Sequence, residues 1–417
     1  MEDTNSLYHN TLHFLDRIEF TYKGVELKKL LFQSAFNFGN LDYRLFRLFK
    51  VLFKRYDSSR LVNLLSNNRT VFLYSFKRND YFEWFTKIST ACNVDKHYLV
   101  YSLIHSKLGL PNFKLVKIAL KETKSLQLKS KESIFIFLRL YDFLMMIDTI
   151  DDTIMKANAS KSLKVENLVT MNAQTDFENI ITQILNKLGK KTFFLSHGLH
   201  FCNYKEFYPV DALIKYCIPS NHVMVWGKSS VNTYSKPYNT IVAGNILYPM
   251  KQINISNTFT NGVVLTARYL YDEENFKLLH ILGQIKKEKN INFTVKPHPN
   301  SNTAKIKGLC QKYDFIFIDS NQTVSNLLRN EKYDFAISYQ TTAYFEAMYY
   351  NMICFRYSYK ENEDYGNLND RFSSYQELND QIEKYKKQSL PSTNQEIKQC
   401  LIDNLGMGIN RYTEYIH

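Results

Sequence analysis

A histidine held between two prolines is the first candidate for chemistry in this sequence. Lys296, Pro297, His298 and Pro299 stand in a row at the end of the predicted strand 292–296. The prolines fix the backbone on both sides of His298, so its imidazole is held at the strand exit. Beside the ammonium of Lys296, the imidazole can donate a hydrogen bond to a phosphate oxygen. We favour this phosphate site over a turn whose histidine only caps the next helix.

Hydroxyl groups form the second candidate. Ser338 ends an apolar run, and Thr341 and Thr342 precede the helical segment 343–350. Hydroxyls and unpaired N–H groups at a helix start can bind an anion, and Thr341 can cap the helix at the same time. Glu346, one turn further on, is placed either to bond ribose hydroxyls or to lie in solvent.

A histidine followed by glycine is the third candidate. The predicted strand 192–196 leads into His197 and Gly198. An imidazole with a near-neutral pKa can take a proton from an acceptor hydroxyl, and glycine permits close approach of a ligand. The alternative is a histidine that only orders its loop. His200 follows no strand directly and ranks lower, whereas Gly244, after the run IVA, lies near a predicted hinge and close to the donor.

All three groups stand where predicted strands end. In the second half, the pattern predicts strands at 262–267, 292–296, 314–319, 334–338 and 352–357, with helices at 273–287, 303–312, 322–329 and 342–350. This alternation is typical of a parallel, doubly wound sheet, which binds ligands outside the carboxyl ends of its strands. Earlier in the chain, it predicts strands at 70–76, 97–103, 165–171, 192–196, 222–226 and 240–243, with helices at 131–157 and 176–188.

The lapse in periodicity near residue 250 predicts the domain boundary. We expect an acceptor-side α/β domain over 1–250, a Rossmann-like donor domain over 251–390 and a helical tail over 391–417. The first domain is expected to begin with a helical region, about 1–68. Two such domains would face each other, with both sets of strand ends on one cleft.

The charge balance points to anionic partners. The 417 residues include 53 Lys and Arg against 40 Asp and Glu, a net charge of +13. Within RLFRLFKVLFKR (44–55), basic and apolar residues separate onto opposite sides of a helix. Such a helix either lies on an anionic membrane or docks on a core in the ordinary way.

The remaining composition indicates a reducing compartment. The six cysteines are scattered without a C-x-x-C pair, the first five residues are polar, and no apolar run is long enough to span a membrane. We therefore expect a location in the cytoplasm or peripherally on the inner face of the plasma membrane.

Five segments together resemble bacterial GT-B enzymes that build capsules, lipopolysaccharide and teichoic-acid-like polymers. They are TFFLSHGL (192–199), HVMVWGK (222–228), IVAGN (241–245), KPHPN (296–300) and SYQTTAYFEA (338–347). They are similar to CDP-glycerol glycerophosphotransferases, which pair H-G with H-P motifs. They are also similar to bacterial sialyl-, polysialyl- and Kdo-transferases, although Ser196-His197-Gly198 stands where these have an acidic triplet.

The resemblance implies a two-domain GT-B fold and transfer of a sugar, by inverting displacement, from a nucleotide-sugar donor to a growing cell-surface polysaccharide. A CMP-sugar is the favoured donor, and the acceptor is a glycan or glycolipid. By resemblance, His298 and the hydroxyls of 338–342 bind the donor phosphate, and His197 is the base. No metal or cofactor is expected, since Asp151-Asp152 lies in a helical region rather than at a strand end.

Three other functions fit less well. A polyol-phosphate transferase or a nucleotide-sugar 2-epimerase would use the same architecture. A basic nucleic-acid-binding protein would explain the charge, but the sequence has no recognisable DNA- or RNA-binding motif and its basic residues are dispersed.

Overall fold

The structure is a computed structural model, and it describes most of the chain. The described residues are 4–35, 50–75, 79–94, 96–171, 175–196, 217–234, 238–319, 322–358, 368 and 370–416. The predicted base His197, with Gly198 and His200, lies outside them, as do residues 44–49.

The N-terminal region carries helices and short strands. In order, it contains α1 (Thr4–Asp16), β1 (Thr21–Tyr22), β2 (Val25–Glu26), α2 (Leu27–Ala35), β3 (Lys54–Asp57) and α3 (Ser59–Asn67). The prediction of one amphipathic α-helix over 44–55 is wrong in its described part. Lys50–Phe53 form a 3-10 turn, and β3 pairs antiparallel with a later strand, His105–Leu108. A distant partner strand has overridden the local helical spacing.

The first large sheet is built from residues 70–242. Its strands and neighbours are β4 (Thr70–Tyr74), α4 (Asn79–Ala91), β5 (His97–Leu99), β6 (His105–Leu108), α5 (Phe113–Ser125), α6 (Ser130–Ala159), β7 (Asn167–Thr170), α7 (Asp176–Lys187), β8 (Lys191–Leu195), β9 (His222–Val225), α8 (Val231–Tyr234) and β10 (Asn239–Val242). The order is β5-β4-β7-β8-β9-β10 with every pair parallel, while β6 pairs with β3 outside the sheet. The strand predicted at 97–103 ends at Leu99, because Val100–Ser102 turn as a 3-10 helix.

The second large sheet is built from residues 261–372. Its elements are β11 (Asn261–Leu265), α9 (Asp272–Lys289), β12 (Asn292–Lys296), α10 (Thr303–Tyr313), β13 (Ile316–Phe317), α11 (Val324–Asn330), β14 (Phe335–Ser338), α12 (Ala343–Tyr349), β15 (Ile353–Tyr357), β16 (Arg371–Phe372) and α13 (Tyr375–Lys387). The order β13-β12-β11-β14-β15-β16 is the 3-2-1-4-5-6 order of a Rossmann fold, again all parallel.

Two such sheets with flanking helices confirm the predicted fold class, GT-B with two Rossmann-like domains and an additional N-terminal region. The strand cores are apolar because parallel strands are covered on both faces. The core around the second sheet runs from Tyr248 to Met407. The domain limits predicted at 250 and 390 stay predictions.

The C-terminal segment returns to the first domain. After α14 (Leu390–Leu405), α15 (Tyr412–Tyr415) packs against α4. The return is fixed at Gly244, whose carbonyl accepts a hydrogen bond from the Tyr412 hydroxyl, while Asn245 N–H donates to the Leu405 carbonyl at 3.0 Å. Gly244 has φ +85°, and a Cβ built on it would lie 2.0 Å from the Ile409 carbonyl oxygen. Glycine is therefore required here by a close backbone approach.

Gly244→Ala should destabilise the protein by about 2–4 kcal/mol, because it adds left-handed strain to a backbone clash. Thermal unfolding should show a Tm several degrees lower. The matched control is Gly308→Ala, since Gly308 lies exposed in α10 with no atom within 4 Å of an added Cβ. Alanine favours a helix, so the control Tm should stay level or rise. Equal effects of the two substitutions would contradict the packing described for Gly244.

Candidate active site

The second sheet has one point at which the strand order reverses. The chain leaves β11 for β12 on one side, and β14 then pairs with the opposite side of β11. Loops diverge at this point, and the crevice between them is the usual ligand site of an open α/β sheet. The predicted donor-side residues lie on the strand ends that border this crevice. Lys296 and Ser338 both pair in register with Leu265, the last residue of β11.

The Pro-His-Pro turn is fastened to the loop that follows β11. The backbone N–H of His298 donates to the Thr266 hydroxyl at 3.2 Å. Tyr269 N–H donates to the Asn300 carbonyl at 2.8 Å. Asn302 N–H donates to the Asp272 carboxylate at 3.0 Å. These three bonds hold the turn along its whole length, so His298 has a fixed position relative to the crevice.

The orientation of the His298 ring is also fixed. The backbone N–H of Asn300 donates to Nδ1 of His298 at 3.1 Å. Because Nδ1 accepts this bond, the proton of the neutral ring lies on Nε2, which is then the ring's donor. The His298 carbonyl accepts from the Ser301 hydroxyl at 2.7 Å, which closes the turn. The ring is half-buried. The arrangement presents a hydrogen-bond donor suited to an anionic oxygen.

Lys296 lies beneath the turn rather than on its surface. Its residue is only 3% exposed, and its ammonium donates to the Pro297 carbonyl at 3.2 Å. Burial lowers the pKa of the Lys296 ammonium, and the carboxylate of Asp319 opposes this effect. Pro297 is buried and Pro299 exposed. The lysine therefore supports the turn from below and adds positive charge near the crevice.

The hydroxyl-rich loop lies on the other side of β11. Tyr339 N–H donates to the Leu265 carbonyl at 3.1 Å, and Gln340 takes a left-handed φ of 46°. The Thr341 hydroxyl accepts from the N–H of Ala343, the first residue of α12, at 3.3 Å. Thr342 makes no side-chain cap bond. With β11 between them, the ends of β12 and β14 lie about 10 Å apart, two strand spacings.

The Glu346 carboxylate accepts a hydrogen bond from within the second domain. The donor is the Ser325 hydroxyl, at 2.6 Å, and Glu346 is half-buried. This oxygen of the carboxylate therefore contacts α11. The bond leaves both predictions for Glu346, ribose binding and exposure to solvent, open.

Two polar residues after β11 escaped the sequence analysis. Thr266 and Arg268 directly follow the strand that begins the second sheet. Thr266 is the residue that receives the His298 N–H, and Arg268 is half-buried at the reversal point. The rule that ligands bind after strand ends selects Arg268, which follows the predicted strand 262–267. Thr266 was missed because that prediction placed it inside the strand, whereas β11 ends at Leu265.

A buried ion pair lies one strand further along. Arg356 pairs in register with Ser338, and its guanidinium donates to both carboxylate oxygens of Asp370 at 2.9 and 3.0 Å. Both side chains are less than 5% exposed. The guanidinium also lies 5.1 Å from the Tyr344 ring centre, in the first turn of α12. The pair ties β15, the segment before β16 and the hydroxyl-rich loop together.

The first domain offers a second polar group at the carboxyl ends of its strands. Its strand order reverses between β4 and β7, and there the hydroxyls of Ser75 and Thr175 are 2.7 Å apart. Arg139 donates to Asp176, in the first turn of α7, at 3.0 Å. Glu178, on the same turn, is fully buried. None of these residues was selected from the sequence, because their partners are far apart along the chain.

The electrostatics of this group depend on burial. Burial lowers the pKa of Arg139, but the carboxylates of Asp176 and Asp142 outweigh it and the pKa is raised. Burial raises the pKa of Asp142, against the hydrogen bond it accepts from Tyr56. The charges of this group are therefore largely paired within the first domain.

Over the described ranges, no three His, Cys, Asp or Glu side chains are grouped so as to hold a metal ion. Within the same part of the chain, each helix is too short or too polar to cross a bilayer.

Comparison with known proteins leaves the family open. No family model and no curated protein sequence matches the chain. A structure of S. aureus TarM in complex with fondaparinux, alpha-GlcNAc-glycerol and UDP is 13% identical with a TM-score of 0.40, covering 63% of this chain and 56% of TarM. The UDP-GlcNAc 2-epimerase of Methanocaldococcus jannaschii, in complex with UDP-GlcNAc and UDP, is 11% identical with a TM-score of 0.45, covering 80% and 98%. An alpha,alpha-trehalose-phosphate synthase from Burkholderia vietnamiensis is 7% identical with a TM-score of 0.41, covering 83% and 95%.

These similarities carry no argument about activity, because the identities and TM-scores are low. This chain spans just over half of TarM, 56% of its length.

Replacing one member of the Arg356–Asp370 pair should destabilise the protein almost as much as, or more than, replacing both. Arg356→Met or Asp370→Leu alone leaves a buried charge without a partner, a loss of about 3–5 kcal/mol. The double variant leaves no unpaired charge, so its loss of unfolding free energy should be well below the sum of the losses in the two single variants. Urea unfolding of the wild type and the three variants measures the coupling. Additive losses would show that the two charges do not stabilise each other.

Proposed function

We propose that this protein transfers a sugar from a nucleotide-sugar donor to an acceptor hydroxyl. The observation that carries the proposal is His298, whose backbone N–H donates to Thr266 and whose Nδ1 accepts from Asn300, so that Nε2 carries the proton of the neutral ring beside the reversal point of the second sheet. A donor group fixed in this way stabilises negative charge without reorganising during the reaction. Charge of that kind develops on a nucleotide phosphate as it leaves.

The rest of the donor site follows from the strand ends. Arg268 lies at the end of β11, and the buried Lys296 lies below the turn. Both add positive potential where the phosphate is proposed to bind. Ser338, Thr341 and Thr342 are proposed to border the phosphate on the β14 side. Arg356 is neutralised by Asp370, so its proposed role is to position this loop.

The acceptor is proposed to bind on the first domain. His197, with Gly198 and His200 beside it, follows β8 in the sequence and is proposed as the base. The acceptor oxygen attacks the anomeric carbon as His197 takes its proton. The bond from that carbon to the phosphate oxygen breaks, and its electron pair stays on the nucleotide. Attack opposite the leaving group inverts the anomeric centre.

The role that we propose for Gly244 is structural, whereas the sequence placed it close to the donor. Its left-handed backbone contacts Ile409, so we assign it to the return of the C-terminal segment to the first domain. A residue in that position affects how the two domains move relative to each other, and closure of the domains would exclude water from the reaction.

The proposed acceptor is a growing cell-surface polysaccharide or its lipid-linked precursor. The net charge of +13 suits an anionic donor and acidic glycans. The donor nucleotide, for which CMP is the sequence-based preference, has to be determined by binding.

His298→Ala should strongly slow transfer while leaving the fold intact. Thermal unfolding with CMP, CDP, UDP and GDP should show a higher Tm for the wild type with at least one nucleotide, through binding to the folded state. The nucleotide that binds identifies the donor to assay. Loss of one pre-organised donor should slow transfer of its sugar by about 100- to 1000-fold.

The matched control is His280→Ala, whose imidazole pairs with Tyr313 at the surface of α9. It should transfer sugar at the wild-type rate. Near-normal turnover by His298→Ala would refute the assignment of His298. Release of an altered free sugar without any acceptor would indicate an epimerase instead.

A further inference from the structure

A group of large apolar side chains projects from the first domain into solvent. Leu108 is 87% exposed, Leu110 79%, Phe113 72% and Phe53 48%. Soluble proteins scatter single apolar residues over their surface, whereas a contiguous group usually marks an interaction site. We refer to Phe53, Leu108, Leu110 and Phe113 as the apolar tip.

Backbone contacts bring the residues of the apolar tip close together. Leu108 pairs in register with Lys54, the neighbour of Phe53, in the β3–β6 ribbon. Gly109, between the two leucines, donates its N–H to the Phe53 carbonyl at 2.7 Å. Phe113 follows four residues later at the start of α5.

The tip is also firmly held. Asn112 caps α5 through its side chain, and its N–H donates to the Tyr141 hydroxyl at 3.0 Å. The same hydroxyl donates to the Leu52 carbonyl at 3.2 Å. These bonds fix the turn on both sides, so the apolar side chains are exposed in an ordered part of the fold.

Lysines surround the tip. From 107 to 125 the chain has the five lysines Lys107, Lys114, Lys117, Lys121 and Lys124, all exposed, and a single acidic residue, Glu122. Helix α5 buries Leu115, Ala119 and Thr123 on its inner face. Its outer face carries Phe113, Leu120 and the helix lysines, at helical spacing.

We propose that the apolar tip and the lysines of α5 bind an anionic lipid bilayer. The apolar side chains enter the interface between headgroups and acyl chains, and the ammonium groups lie on the anionic headgroups. Charge complementarity favours a lipid surface, because five lysines around a projecting apolar turn match a continuous anionic plane above an apolar layer. The tip shares only Phe53 with the segment 44–55, which the sequence singled out, and the inference is independent of the reaction proposed above.

The location of the tip makes it useful to an enzyme with a membrane-borne acceptor. The β3–β6 ribbon is attached to Phe177, in the first turn of α7 after the carboxyl end of β7. The Tyr56 ring lies 5.8 Å from the Phe177 ring, and the Tyr101 ring lies 5.4 Å from it. The proposed lipid surface therefore lies near the carboxyl-end edge of the first sheet, the edge where open α/β sheets generally bind ligands.

Vesicle flotation of the full chain tests the proposal. The wild type should float with vesicles of phosphatidylcholine containing about one third phosphatidylglycerol, and much less with phosphatidylcholine alone. Added salt should weaken binding, because the lysine contribution is screened.

Two variants separate the apolar and charged contributions. L110S/F113S should weaken binding to the anionic vesicles about tenfold or more. K114E/K117E/K121E should weaken it at least about a hundredfold, since each lysine near an anionic surface contributes roughly fivefold and each glutamate adds repulsion. The side chains are exposed, so both variants should keep the wild-type Tm.

Matched controls come from the second domain. I316S changes an apolar residue that is 58% exposed, and K384E/K387E/K398E reverses three exposed lysines. Both should bind vesicles like the wild type. Absence of wild-type flotation, or equal loss in the lysine variant and its control, would overturn the proposal. So would conversion of a dimer to a monomer by L110S/F113S without any effect on vesicle binding, which would assign the tip to self-association.

Discussion

The hydrogen bonds between the loop after β11 and the turn after β12 are the constraint on which the candidate site depends. Thr266, at the point where the strand order reverses, accepts the backbone N–H of His298. A second backbone N–H, from Asn300, reaches Nδ1 of the ring. One bond places the residue and the other selects the nitrogen that carries the proton. An imidazole that is placed and oriented before a ligand arrives loses little entropy on binding.

The two domains are joined by more than a linker. The chain crosses from the first domain near Gly244 and returns after Gly406, and the two crossings contact each other through Asn245 and Leu405. A glycine Cα at 244 permits this contact, since a side chain would strike Ile409. Any relative motion of the domains must therefore bend both crossing segments at once. Two crossings in contact restrict the domains to hinge-like motion rather than independent tumbling.

Strongly patterned elements were predictable from the sequence, and long-range pairings were not. The strand 292–296 has its predicted bounds, and the long helix predicted at 131–157 is Ser130–Ala159. Both have a local pattern that agrees with the final packing. The spacing in 44–55 predicted a helix, but Lys54–Asp57 form a strand that pairs with a segment about fifty residues later. No local signal reveals that partner.

The same limit applies to the site. His298 was predictable because prolines and a strand end are local features, whereas the Arg356–Asp370 pair needs two segments brought together by the fold. Arg268 was also predictable, because it directly follows a predicted strand, but it was not selected. The role expected for Gly244 came from its place after a strand, yet its packing partner lies at Ile409. Position along a strand thus predicted which residues lie at the strand ends better than it predicted the contacts that each residue makes.

The most direct measurement of the central claim is the side-chain ¹⁵N spectrum of His298, assigned by comparison with the His298→Ala variant. We expect the free protein to show the neutral ring with its proton on Nε2. Titration with the nucleotide that raises the Tm should shift the Nε2 signal and leave Nδ1, which is held by Asn300, nearly unchanged. A ring with its proton on Nδ1, or an Nε2 signal indifferent to saturating nucleotide, would contradict the placement of the donor phosphate at this turn.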